Sequence, residues 1–402
     1  EIIKKNMIKN IKAIKKLLFL LIPLMSYSQE KFIINKIVVD SKTKKSLENV
    51  NIYNNQDFTI SNDQGKFRFA TDKARINLRL IGYKTLHTSV KNCQKIDTLF
   101  LRPQIIKLEE VIVKGNSTET YLNDVFKKIK NSSPNSEYIE SFFLRSVLRR
   151  NNKILQFQDL AGKVKRPKLF TNKKNYKKNM KVNLLNMRKI GLTSNTKDIE
   201  VFRHFSFSEF FYRINLLRID FKKHHLKSFN LLNSNYKKII FKPIDTFDSK
   251  ASNGYYLTEN NALKKIVLTS NPNYNQIPFE KVSKFKYRTI NSDLRVTFNY
   301  NATHKKHYIS DATFEGKLEV INPKKETIIY NVKYNLLITD GFFSNKIKSN
   351  FSSKKDIFKA KAPYNKNFWI NQNQLLLDKK LKLFIEQTKD LNTTDFKIIK
   401  NY

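Results

Sequence analysis

A single cysteine, Cys93, denies this chain of 402 residues any internal disulfide, so its fold has to be held by packing. Only eight glycines occur, widely scattered. They form no Gly-x-x-x-x-Gly-Lys phosphate loop and no Gly-x-Ser-x-Gly nucleophile elbow. No histidine has Glu three residues later, which removes the His-x-x-Glu pair of a metallocarboxypeptidase. Acidic residues are few, 34 against 77 Lys and Arg. Beyond Leu24 no apolar run approaches the roughly 20 residues needed to cross a bilayer.

The remaining candidates for chemistry are sparse. His304-Lys305-Lys306-His307 and His224-His225 are the only histidine clusters. On a strand His304 and His307 point to opposite faces, and the intervening lysines repel a cation. A zinc site draws on three or four ligands, and no third is in sight. Cys93 lies among strand-like residues and reads as a small buried hydrophobe. Glu109-Glu110 falls on an expected strand, whose alternation separates the two carboxylates. The expectation is a non-enzymatic protein with no catalytic, cofactor-binding or metal-ligating residue. A hydrolase acting on envelope polymers, with a site assembled from C-terminal loops, is the alternative.

The N-terminus is more informative. Met7 is the expected initiator, with residues 1–6 upstream of it. Lys9, Lys12, Lys15 and Lys16 precede the apolar run Leu17 to Leu24, and Ser26-Tyr27-Ser28 offers small residues for cleavage before Gln29. A charged segment, a short apolar core and a small-residue exit make residues 1–28 the upstream residues followed by a secretory signal peptide. No cysteine follows the apolar core, so a lipid anchor is not expected. A disulfide-free exported chain suits a bacterial periplasm. Hydrophobic residues make up 40% of the chain, with 31 Phe and 18 Tyr, enough for a real core.

The formal charge of +43 has two readings. The excess is mostly Lys, accompanied by Asn and Ile, the trio that an AT-rich genome imposes on any protein. A functional anionic partner is the other reading. Residues 163–189 hold eleven Lys or Arg and no acid. They read as a basic insertion, either solvated or in peripheral contact with an anionic membrane surface. Basic residues interleaved with aromatics, at Lys173 to Lys178 and Lys284 to Arg288, raise single-stranded nucleic acid as a partner. On a strand the same pattern is a core face beside a wet one, and no nucleic acid is expected.

Short alternating strands with turn signals fill the stretch from Phe32 to Leu101. Ile33 to Val39, Val50 to Tyr53, Lys66 to Phe69, Ile76 to Ile81 and Thr98 to Leu101 are the clearest, and about seven strands argue for a β-sandwich. Four blocks carry a resemblance: Ile37-Val38-Val39-Asp40, Leu47 to Ile52, Ser61 to Phe67, and Ile81-Gly82-Tyr83. In this order and spacing they resemble the carboxypeptidase regulatory-like domain. Leu108 to Val113 is similar to the segment that closes it in many Bacteroidota envelope proteins. Two positions depart from the pattern, Lys36 before the first strand and Phe58 before Thr59, where glycine is common. The resemblance implies an Ig/transthyretin-like β-sandwich over residues 29–115 without peptidase activity.

Tyr121, Leu122, Val125, Phe126 and Ile129 then recur at helical spacing, predicting a linker helix within residues 116–137. From 138 to 390 strands return, with turns at Asn253-Gly254, Asn322-Pro323 and Asp340-Gly341 and a last helix at about 375–388. Blocks at Ile239 to Pro243, Asn253 to Leu257, Ala262 to Ile266 and Phe368 to Asn371 are similar to the C-terminal part of the same proteins. They imply a larger curved antiparallel sheet. The expected protein is mainly β (α+β), exported to the periplasm or associated with the outer membrane. Its sandwich serves as an interaction module, and its C-terminal sheet as a platform for a hydrophobic ligand, a glycan or an envelope partner.

Overall fold

The computed structural model describes residues 31–104, 108–111, 117–194, 202–231, 235–245, 252–270, 277–343, 346–370, 373, 375–388 and 396–400. The expected signal segment lies outside these residues. The chain is mainly β, a small sandwich followed by one large curved antiparallel sheet.

The sandwich uses seven strands: β1 (Phe32–Asp40), β2 (Asn51–Tyr53), β3 (Phe58–Ile60), β4 (Lys66–Thr71), β5 (Arg75–Arg79), β6 (Leu86–Ser89) and β7 (Thr98–Leu101). One sheet has the order β4-β1-β7, with β7 parallel to β1, and the other β3-β2-β5-β6. Period-two alternation aims Ile34, Val38, Phe67, Phe69 and Leu99 from one sheet at Ile52, Ile76 and Leu78 from the other. Gly65 turns the chain between β3 and β4 at φ +71°, and a Cβ there would meet the Val38 carbonyl oxygen at 2.4 Å. Asn62 ties the same turn, its Oδ1 accepting from the amides of Gln64 and Lys66. Cys93 sits on a helical turn, α1 (Val90–Gln94), and not among strands. It is wholly buried, as a small hydrophobe would be.

The thirteen strands of the large sheet are β8 (Leu108–Val111), β9 (Tyr138–Arg150), β10 (Lys153–Arg166), β11 (Lys181–Ser194), β12 (His224–Leu231), β13 (Tyr236–Pro243), β14 (Asn253–Glu259), β15 (Ala262–Ser270), β16 (Glu280–Val282), β17 (Phe285–Asn301), β18 (Lys306–Ile321), β19 (Thr327–Phe343) and β20 (Phe396–Lys400). Their order is β20-β11-β10-β9-β19-β18-β17-β15-β14-β13-β12-β8, with β16 beside β17. Two expectations change here. Leu108–Val111 does not close the sandwich; it pairs with β12 at the far edge of the large sheet. Residues 163–189 are not an insertion, because they form the ends of β10 and β11 joined through a short helix, α3 (Lys173–Asn179).

The inner face of the sheet is filled by the chain itself. The expected linker helix, α2 (Ser117–Ser132), buries Leu122, Val125, Phe126 and Ile129 there. Beside it lies α4 (Phe207–Arg213), started by a capping box in which Ser206 and Glu209 satisfy each other's backbone amides. Phe207, Phe210 and Phe211 pack with Phe142, Tyr334 and Tyr256 in the same core. The outer face of β9 and β10 is covered as well. Phe143 and Ala161 meet Phe58 and Ile60 of the sandwich, together with Trp369 of α5 (Lys366–Ile370). Val147, Phe157 and Ile190 meet Leu381 and Phe384 of α6 (Lys379–Gln387). Cover on both faces leaves β9 buried almost throughout, its polar Glu140, Arg145 and Ser146 included. Phe58, one of the two departures from the resembled pattern, is thus an anchor that seats the sandwich on the sheet.

Candidate functional site

The structure disperses the residues with catalytic potential. His304 is exposed on the β17–β18 turn. His307 faces α2, its Nδ1 2.9 Å from the Ser132 hydroxyl. Burial, with Lys264 and Lys128 nearby, pushes its pKa down to about 4. His224 has ring nitrogens 2.7 and 3.0 Å from the carbonyl oxygens of Asp220 and Ser252. Burial pushes the Cys93 thiol pKa up, away from the thiolate that reacts. The side chains of Glu109 and Glu110 lie outside the described residues. Among the described residues no three His, Cys, Asp or Glu side chains group to hold a metal ion.

Sequence reading missed the buried polar groups of the large sheet. Asp159 on β10 is wholly buried and takes both Arg145 (2.8 and 2.9 Å) and Arg188 (2.7 Å). Arg145 also donates to the carbonyls of Leu375 and Leu376, tying the C-terminal segment to the sheet. His204 lies between Tyr334 (3.0 Å) and Gln156 (2.8 Å), stacked on Phe358. Burial, with Lys189 adding to it, lowers its pKa to about 3, so at neutral pH it is an uncharged core histidine. For Asp159 and Arg145 the signal available in sequence was only a polar residue within an expected strand, and His204, on the loop before α4, had none.

One cleft of about 180 Å3, between the sandwich and the start of α6, contains Glu48, Asp63 and Asp378. Burial, then the charges of Asp378 and Glu48, raise the pKa of Asp63. Asp378 is already engaged as the cap of α6, accepting from the Leu381 amide at 2.7 Å. Arg145, Arg149 and Lys333 line the same cleft.

The described surface also carries a basic face. Of the eleven cations of residues 163–189, Lys163 is half-buried on β10 and the other ten divide into two sets. Arg166 is buried against Glu140, Arg188 binds Asp159, Lys165 pairs with Glu137, and the buried Lys189 donates to the carbonyls of Phe358 and Ala360. Lys168, Lys173, Lys174, Lys177, Lys178 and Lys181 are exposed, on or beside α3. Asn215 fastens that loop to α4 by accepting from the Phe170 amide at 2.8 Å. A strap at 346–356 runs alongside, joined to Val182 through Asn350 and to Ser208 through Ser353. It adds exposed Lys346, Lys348, Lys354 and Lys355.

The carboxylates on these adjoining segments are committed internally. Glu209 binds Arg203 at 2.8 Å and the Ser206 amide. Desolvation opposes its ionisation, yet these hydrogen bonds bring its pKa down to about 2. Asp356 accepts from the amides of His204 and Phe358. Between α3 and α4 a pocket of about 310 Å3 opens on this face. No family model matches the chain, and no curated protein matches it.

Proposed function

We propose that this is an exported, non-enzymatic protein of the cell envelope, a Bacteroidota-type protein whose N-terminal sandwich belongs with the carboxypeptidase regulatory-like domains. It docks through its basic face on an anionic membrane surface, at the periplasmic side or on the outer membrane. The observation that carries this reading is the set of exposed lysines on α3 and the adjacent strap, beside which the carboxylates of Glu209 and Asp356 are engaged internally. A lysine near an anionic leaflet contributes about 1 kcal/mol. Four in contact therefore suffice for about 4 kcal/mol, close to a thousand-fold in affinity.

The filled inner face favours a surface or protein partner over a buried hydrophobic ligand. Phe207, Phe210, Phe211 and Tyr334 spend their aromatic area on one another. The sandwich, seated on the sheet through Phe58 and Ile60, presents its remaining strands to an envelope partner. The alternative, a hydrolase, draws support from the cleft holding Glu48 and Asp63, where a raised carboxyl is the usual mark of a general acid.

Vesicle co-sedimentation decides between free and membrane-docked protein. Binding to vesicles containing phosphatidylglycerol should fall steeply with salt, and the quadruple substitution K173Q/K174Q/K177Q/K178Q should weaken it by several hundred-fold or more. Salt-insensitive binding, or an unchanged quadruple variant, would sink the docking role. N-terminal sequencing of the envelope form should begin at Gln29. An Asp63→Asn variant that abolished a measured hydrolytic activity would favour the enzyme instead.

A further inference from the structure

The basic face contains one element that a diffuse lysine patch does not need. The pocket between α3 and α4 is bounded by Lys173, Arg203 and Arg213 around Phe205, Tyr212 and Leu216. Arg213 lies over two rings, 5.2 Å from the Phe205 centroid and 5.0 Å from that of Phe314. Stacking holds a guanidinium by its face and leaves its in-plane N–H donors free for a planar or tetrahedral anion. Arg213 is exposed, and among the described residues no carboxylate forms an ion pair with it. Leu216 at the rim is 51% exposed, an apolar side chain set among cations.

Charge narrows the ligand. Lys173, Arg203 and Arg213 bring three positive charges to the pocket, and Glu209 on its wall returns one negative charge. The surplus of two matches a phosphate monoester, whose second ionisation falls near pH 6, better than a singly charged diester. The rings beneath Arg213 exclude water from one side of the guanidinium, which strengthens a charge-assisted hydrogen bond there. A phosphate seated on Arg213 and Lys173 leaves Leu216 facing the first carbons of a lipid backbone, as an amphiphilic headgroup requires.

We infer that this pocket is a headgroup site for a phosphomonoester lipid, so that the basic face selects its surface as well as adhering to it. The inference rests on the membrane-docking reading and adds a specificity that the lysines alone cannot supply. Arg213 acts as the selecting residue, while the lysines of α3 supply attraction indifferent to phosphate type.

The test compares the full chain on phosphatidylcholine vesicles doped with phosphatidate or with phosphatidylglycerol, matched in total charge. Binding to the monoester should be about ten-fold tighter, the size of one charge-assisted hydrogen bond of about 1.4 kcal/mol. Arg213→Gln should remove that preference and weaken phosphatidylglycerol binding by only about five-fold, the share of one cation near an anionic leaflet. Arg213→Lys, which keeps the charge and discards the fork, should lose most of the preference too. Soluble glycerol phosphate should not displace the protein at concentrations equal to the lipid phosphate. Displacement by it would make the ligand a free phosphate ester and overturn the lipid assignment. Equal binding to the two vesicle types would overturn the pocket while leaving docking intact. Failure to bind either anionic vesicle would overturn both.

Discussion

Removing the carboxylate of Asp159 should destabilise the large sheet more than any exposed substitution, and the structure sets the size of the effect. Asp159 has no exposed surface and neutralises Arg145, itself 3% exposed, and Arg188, 15% exposed. Asp159→Ala removes the carboxylate that both guanidiniums share beneath the C-terminal segment. Breaking one buried pair costs about 3–5 kcal/mol. Arg145 keeps its bonds to the Leu375 and Leu376 carbonyls, so the lower half of that range is expected. The triple substitution R145M/D159L/R188M removes every charge together and should recover most of the loss, because the desolvation cost goes with the ions. The assay is urea unfolding followed by the fluorescence of Trp369, the only tryptophan, which lies 5.0 Å from the Arg188 guanidinium. A shifted midpoint at constant slope reports the free energy. A loss below about 1 kcal/mol in Asp159→Ala would refute the claim that this carboxylate carries the network.

Acid should unfold the protein partly through His204. Its pKa is near 3 in the fold against an ordinary 6.5. The unfolded chain therefore binds a proton first, and stability present above pH 6.5 drains away as pH falls toward 3. At pH 4.5 the loss is about 2–3 kcal/mol, and His204→Gln should flatten the urea-midpoint profile over that window; an identical slope in the variant would refute it. Phe58→Ala should uncouple the sandwich from the sheet, read as faster hydrogen exchange in β3 with β1 and β4 still protected, since Phe58 packs outside the sandwich's own core. Uniform loss of protection across all seven strands would contradict that division. Gly65→Ala should destabilise the sandwich by more than about 1 kcal/mol, because φ is positive and a carbonyl blocks the Cβ. Thermal melts that coincide with the parent chain's would contradict this. Cys93 should react with a thiol reagent only as fast as the sandwich opens, so labelling at the free-thiol rate in native buffer would contradict its burial.

Local pattern alone determined much of this protein. Alternation gave away the strands of the sandwich, because side chains on a pleated strand have no choice but to alternate. The spacing of Leu122, Val125, Phe126 and Ile129 predicted a helix within residues 116–137, and α2 lies there, since one face of a helix must be apolar to pack. The mainly β class followed from the same periodicities.

Other features were decided by contacts between residues far apart in sequence. Leu108–Val111 reads as a strand on its own, but only the far edge of a second sheet determined which neighbour it pairs with. The run of cations at 163–189 looked uniform, yet burial divided it. Arg166, Arg188 and Lys189 became interior partners, and six lysines were left to the solvent. Phe58 and Arg213 look unremarkable beside their chain neighbours. One became the anchor of the sandwich and the other a guanidinium stacked on two rings, because tertiary packing brought remote aromatic side chains against them. Period and turn chemistry act over a few residues and can be read directly. Which face meets which, and which charge keeps a partner, depends on the assembled chain.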